Sequence, residues 1–176
     1  MASQLASYVP SSLVIAISHP SSNTNHIIGG FAKDSMVSIE YPEAVWTEKT
    51  LSNGETVRTH SKDNTLRMTV HIDQTSASND YLSALNKFDE RDPTGLDGIF
   101  TCTFADKSSR TYAYSAECFV KRPMSYEYGS DTSVRDWVIV LTSAEQQLGG
   151  SGKIDPDLLA SLEALGVDVE DIWKTV

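Results

Sequence analysis

The chain is 176 residues long, 40% of them hydrophobic, with a formal net charge of −10 at pH 7; that size and apolar content suit one folded unit and argue against disorder. The acidic balance weighs against nucleic-acid binding, because affinity for phosphates comes largely from lysine and arginine displacing counterions. No window approaches the roughly eighteen apolar residues of a membrane helix, and Met1 to Pro10 lacks the charged-then-apolar order of a secretion signal, so a soluble protein with no membrane partner is expected.

Taken in chain order, apolar residues alternate with period two in short clusters bounded by Gly, Asn, Asp, Pro or Ser, the pattern of β-strands. Leu13, Ile15 and Ile17 alternate through a first strand that stops at His19-Pro20 and a Ser/Asn-rich loop. Met36 to Tyr41 is a second strand. Ala44 to Lys49 and Glu55 to His60 flank Asn53-Gly54, a dipeptide that tolerates the positive φ of a tight hairpin turn; these strands are polar, as for an arm projecting from the core over residues 44–60. Thr65 to Asp73 gives the clearest alternation, with Leu66, Met68, Val70 and Ile72 on one face and Arg67, Thr69, His71 and Asp73 on the other.

The polar run Gln74 to Asp80 offers several N-cap residues for a helix reaching about Glu90, with Tyr81, Leu82, Leu85 and Phe88 on one face. Strands follow at Ile99 to Phe104, Thr111 to Lys121 and Arg135 to Thr142. Cys102 and Cys118 fall on consecutive strands turned near Asp106 to Arg110. In that register Cys102 faces a position near Tyr114, so a disulfide needs a different pairing and two reduced core thiols are expected. The division is a β-domain over 1–148, a Gly-rich linker over 149–154 and an acidic helical extension over 155–176. In the extension Asp155 caps, Pro156 takes the first helical position and Gly166 ends the helix. Leu158, Leu162 and Leu165 share one side and need burial on this chain or a neighbour. From Lys153 onward six acids face two lysines, a net −4.

Chemistry-bearing patterns fail one by one. His19, His26, His60 and His71 have no partner at metal-ligand spacing. Gly149 to Lys153 lacks the first glycine and the Ser or Thr of a phosphate loop. No Gly-x-Ser-x-Gly elbow occurs, neither cysteine has a base beside it, and Asp89, Glu90, Asp92 and Asp97 read as solvated loop acids rather than a glycosidase pair. No catalytic, cofactor or metal site is expected, and the protein is read as a non-enzyme. A β-rich unit with a projecting arm has exposed strand edges that must be covered, charged or used.

The sequence resembles the tail tube proteins of contractile-tailed bacteriophages over about residues 10 to 142. The resemblance is carried by the runs Asp34 to Glu40, Trp46-Thr47, the Asn53-Gly54-Glu55 turn with Arg58, and Ser61-Lys62-Asp63-Asn64. It continues through Val70 to Ser76, Ser78-Asn79-Asp80 and Arg135-Asp136-Trp137. It implies a mainly β fold, a β-sandwich or partial barrel with one flanking α-helix, to which this chain adds the short C-terminal helix. Six copies would close into a ring and rings would stack into the tube of a virion tail, assembled in the host bacterial cytoplasm. The hairpin would reach the adjacent ring. Asp34, Trp46, Asn53, Gly54, Arg58, Ser61, Lys62, Asp63, Asn64, Ser78, Asn79 and Asp80 are the candidate contact residues. The implied partners are the chain itself, a sheath protein outside, baseplate and tail terminator proteins at the ends, and a tape measure protein and then double-stranded DNA in the lumen. A wall poor in Lys and Arg lets DNA slide without sticking. Two alternatives share the β architecture: the tube of a phage-like particle or secretion system, and a carbohydrate-binding or adhesin sandwich that would display Tyr126, Tyr128 and Trp46.

Overall fold

The computed structural model describes residues 9–174; the first eight residues of the amino-terminal stretch discussed above, and the last two of the extension, lie outside the described residues. Ten strands and two helices follow one another: β1 (Leu13–His19), β2 (Thr24–Ile27), β3 (Val37–Glu40), β4 (Trp46–Thr50), β5 (Thr56–His60), β6 (Leu66–Asp73), α1 (Ser78–Arg91), β7 (Phe100–Asp106), β8 (Tyr112–Lys121), β9 (Val134–Thr142), β10 (Glu145–Gln147) and α2 (Pro156–Ala164). Eight strands form one sheet in the order β2-β1-β7-β8-β9-β6-β3, with β10 added to β8, while β4 and β5 make a separate pair. All named pairings are antiparallel.

One bent stretch of chain curls this sheet toward closure. Residues 24–27 run along β1, and Ile28 N still donates to Ile15 O at 2.9 Å. The chain then crosses to the far edge, where Asp73 N donates to Gly30 O at 2.9 Å and Ala32 N to His71 O at 2.8 Å, before β3 continues along β6. Gly30 sits at the crossing with φ +73°, and a Cβ there would meet the Ser76 side chain at 2.5 Å, so glycine is required on two counts. The result is a partial barrel with α1 at its flank, mainly β as expected. Two strands escaped the pattern: β2 lies inside the supposed Ser/Asn loop, and β10 is three residues long. Thr24 and Asn25 are exposed and only His26 is partly buried, so no alternating apolar face betrays β2.

The core is what period two makes of β6 and its neighbours. Leu66, Met68, Val70 and Ile72 point inward with Ile15, Ile17, Phe100, Cys102, Cys118, Ile139 and Leu141, and α1 adds Leu82 and Leu85. Burying one such side chain contributes roughly 1.5–3 kcal/mol as an upper bound. Phe88, expected on the same helical face, is largely outside and sets its edge against the buried His19 ring at 5.2 Å. His19 is fastened at both nitrogens, Nδ1 to Ser22 Oγ at 2.6 Å and Nε2 to the Asp97 carbonyl at 2.7 Å; the carbonyl fixes the proton on Nε2. Both cysteines are free and buried. Cys102 pairs with Ser115, and a bulge between Phe100 and Cys102 changes the register so that Phe100 pairs with Cys118. The neighbouring Cys118 thiol and burial push the Cys102 thiol well above its usual range, while Cys118 Sγ donates to Ser115 O at 3.4 Å.

The helix α2 starts as read: Asp155 accepts from Leu158 N at 2.8 Å, Pro156 follows, and Gly166 adopts φ +81° beyond the last turn. No residue of α2 is buried and Leu158 and Leu165 stand exposed, so of the two expected places of burial this chain does not supply one. One feature differs from expectation. The 149–154 segment is docked rather than a free tether. Gly149 exchanges two hydrogen bonds with Thr111 Oγ, at 2.9 and 3.1 Å, and Arg110 Nη1 donates to Gly152 O at 2.6 Å. Ile154 and Val169 bury themselves beyond this seam.

Strand register gives the barrel two distinct ends. Asp73 pairs with Val134, and Lys121 with Val138, so the 74–77 turn, the start of α1 and the 122–133 loop share one end. Leu66 pairs with Leu141 at the other, where the chain enters from β5.

Candidate assembly surfaces

The β4–β5 hairpin is the most exposed element: all ten strand residues are exposed on both faces. Its register pairs Trp46 with His60 and Thr50 with Thr56. Beyond it Leu51 N donates to Glu55 O at 2.8 Å and Gly54 N to Leu51 O at 2.9 Å. The turn is therefore a three-residue loop ending in Gly54 at φ +85°, a β-turn closed by a left-handed residue rather than a two-residue Asn-Gly turn. Asn53 braces it by accepting from Glu55 N at 3.1 Å and donating to Glu55 Oε2 at 2.8 Å. On one face Trp46 lies under the Arg58 guanidinium, 4.0 Å from ring centroid, with the His60 ring 4.7 Å away. This cluster stiffens the arm without burying it, since cation–π pairs at exposed sites are worth only about 0.5–1 kcal/mol.

Ser61, Lys62, Asp63 and Asn64 form the connection from arm to barrel. Asp63 accepts from Thr65 N and Thr65 Oγ, which holds its carboxyl below the usual carboxylate range. Asn64 O accepts from Ala144 N at 3.2 Å, and Tyr41 OH donates to Gln146 Oε1, so both roots of the arm touch the β9–β10 region. Asp34 is exposed in the loop leading to β3, on the wall of a cavity of about 430 Å³ floored by Leu13, Val37 and Phe104.

The Ser78-Asn79-Asp80 triplet divides. Ser78 is buried, and its Oγ bridges His26 Nε2 and Gly29 N, each at 3.0 Å. Asn79 donates to the Asp73 and Ser76 carbonyls and accepts from Trp137 Nε1 at 3.0 Å. These two side chains are spent inside the subunit, tying α1 to the crossing segment and to β9. Asp80 alone is exposed.

Sequence reasoning missed the groove of about 600 Å³ beside Asp80, lined by Gln74, Arg122, Tyr126, Tyr128, Arg135 and Trp137 among others. Arg135 is only 9% exposed yet forms no ion pair among the described residues. Its Nη1 donates to Glu127 O and Ser133 Oγ, its Nη2 reaches only Gln74 Oε1 at 3.4 Å, and its guanidinium lies 5.0 Å from the Tyr126 ring centroid and 4.8 Å from that of Tyr128. Both tyrosines are mostly exposed, at 62% and 79%. The signal was present as two tyrosines inside a twelve-residue strand connection and an arginine just beyond it, but nothing in the pattern says that they meet.

Ser38, His71 and Asp136 stand side by side across β3, β6 and β9, with Ser38 Oγ 3.4 Å from His71 Nε2 and Asp136 Oδ1 2.7 Å from Nδ1. This ordering resembles a hydrolase relay, yet Ser38 is exposed on the edge strand β3 and its 3.4 Å separation from His71 is at the outer limit of a hydrogen bond. Among the described residues no three His, Cys, Asp or Glu gather as for a metal ion, and no helix is long and apolar enough to cross a membrane.

No family model matches the sequence. Among solved structures, the fold is similar to that of a chain in the anti-feeding prophage cap, the terminating cap of its tube. The TM-score is 0.51 at 9% identity, covering 84% of this chain and 94% of that one. A chain of an extracellular contractile injection system sheath-tube complex in its extended state aligns at a TM-score of 0.46 and 10% identity, covering 80% of this chain and 91% of that one. Structural protein ORF10 of Pseudomonas phage KPP10 is 34% identical over 173 residues, which is 98% of this chain and 99% of that protein. At that identity, and nearly end to end, this chain belongs to the same family of phage structural proteins, not to a family of enzymes.

Proposed function

We propose that this chain is the subunit of a contractile-tail tube: copies close into rings, six to a ring, and rings stack into a channel for the ejected genome. The observation that carries the reading is the arm, a braced hairpin whose strands expose Trp46, Val57 and every polar neighbour to solvent at one end of a barrel. A two-stranded ribbon is marginal by itself, so a braced one without a covering surface is explained by a second copy that covers it. Unlike surfaces meeting head to tail close into rings or continue as filaments. The outer margins of β2, β3 and β10, which pair with no further strand among the described residues, add backbone donors and acceptors for neighbours in a ring. The family likeness supports a structural role in a phage particle. The expected partners follow from the reading: further copies, a sheath outside, a tape measure protein and then double-stranded DNA inside, and baseplate and terminator proteins at the ends.

A second reading is favoured by the resemblance of the fold to a tube-terminating cap: the chain would close one ring at the end of a tube built by another protein. Negative-stain images of the purified full chain, taken over a concentration series at moderate salt where self-repulsion is screened, separate these. Tubes or stacked rings with sixfold end views support the tube subunit. Single rings that never stack support the cap. Monomers under all conditions, with a tail initiator included, overturn both.

A further inference from the structure

We infer that the Tyr126–Tyr128–Arg135 groove is the receptor for the β4–β5 arm of a second copy. The inference rests on the reading of the chain as a stacking subunit and adds the contact by which stacking occurs. Three observations lead to it. First, placement: the arm leaves the barrel at the Leu66/Leu141 end, and the groove lies at the Asp73/Val134 end, so a head-to-tail pair brings them together while no single chain does. Second, charge: in a chain of net charge −10, Arg135 is a nearly buried cation with no carboxylate partner among the described residues and one nitrogen held only by a 3.4 Å contact. Arg122 adds a second positive group, held by Glu90 at 3.8 Å. The arm carries Glu48 and Glu55, neither in an ion pair among the described residues. A carboxylate delivered to Nη2 would make a charge-assisted hydrogen bond where the isolated subunit leaves a donor underused. Third, shape: five paired residues per strand give the arm a reach of about 17 Å, and its Leu51 and Val57 are exposed and uncovered. The groove offers them two tyrosine rings and the rim of Trp137 as apolar surface with low ordering cost. Asp80 on the groove rim sets a limit, disfavouring an acid there and steering the arm's carboxylate toward the arginine side.

The test places a photo-crosslinking benzoylphenylalanine at Leu51 of the full chain and assembles an equal mixture of heavy- and light-nitrogen-labelled copies, so that links between copies are recognised by mass. Links from position 51 into residues 122–135 of another copy are expected. Assembled particles whose links fall elsewhere overturn the groove while leaving the stacking reading in place; failure to assemble under every condition overturns the two together. In parallel, Tyr128→Ser alters a side chain 79% exposed in the subunit whose main contact is the cation–π pair with Arg135, so its melting temperature is expected to fall by no more than a few degrees. The concentration needed for assembly is expected to rise about tenfold, as for loss of an aromatic interface anchor. An unchanged assembly threshold counts against the groove.

Discussion

Single side chains of this molecule do most of their work by tying loops down. Asp92 shows it: its carboxylate accepts from Thr94 Oγ and N, Asp97 N and Leu96 N, and these hydrogen bonds bring it from 3.8 down to about 2. A depressed folded value means that its contribution to stability is complete above 3.8 and is lost as pH falls through about 2. Thr94→Ala removes the largest cause, so a carboxyl titration followed by NMR is expected to find Asp92 shifted back upward, and the acid loss of stability, still beginning near 3.8, to be smaller and complete at a higher pH. Ser78 is the interior counterpart. Ser78→Ala leaves Gly29 N and His26 without their shared partner and is expected to cost about 1–2 kcal/mol in urea unfolding. A neutral result would show that water replaces the hydroxyl. Of the triplet read as contact residues, Asp80 was legible as surface, but Ser78 and Asn79 were not legible as internal, because polarity in a sequence does not tell solvent from a satisfied interior.

At the scale of elements, strands with a buried face announced themselves, the fully exposed arm strands β4 and β5 were given away by the turn residues between them, and strands with neither signal were missed. Leu66 to Ile72 gave β6 its face and span because alternate side chains meet the core, and Val134 to Thr142 did the same for β9. By contrast β2 has no buried residue and β10 pairs through only three residues, so backbone hydrogen bonding, invisible to hydropathy, decides both. The helix α2 was legible from its punctuation, Asp155, Pro156 and Gly166; of the two places expected to cover its leucines, this chain or a neighbour, this chain does not supply one. The extension is instead fastened at its root by Arg110 and Thr111. Deleting residues 149–176 removes Ile154 and Val169, which lie outside the main core cluster. The truncated chain is expected to keep its β-type circular dichroism and, with two buried side chains removed at roughly 1.5–3 kcal/mol each, to lose no more than about 6 kcal/mol of stability. Loss of the folded spectrum would mean that the seam at Arg110 is part of the folding unit.

For the molecule as a whole, the barrel and the arm are energetically separable. The core cluster draws on β1, β6, β7, β8, β9 and α1 and on nothing between Trp46 and His60. Replacing that span by a short Gly-Ser turn is therefore expected to leave the melting temperature within a few degrees of the full chain's, while sedimentation finds only unassembled subunits or isolated rings. A stacked tube from the armless variant would remove the arm from the account of stacking. The fold class was legible because the period of apolar residues selects strands. The closure of the barrel was not, because it depends on one segment turning at Gly30 between two sheet margins, a tertiary event with no local pattern.

The unlike poles of this barrel give any rod made from it a direction. A plug that fits the face bearing the hairpin cannot fit the face bearing the tyrosines, so beginning and finishing such a rod are separate recognition problems, calling for two chemically different stoppers.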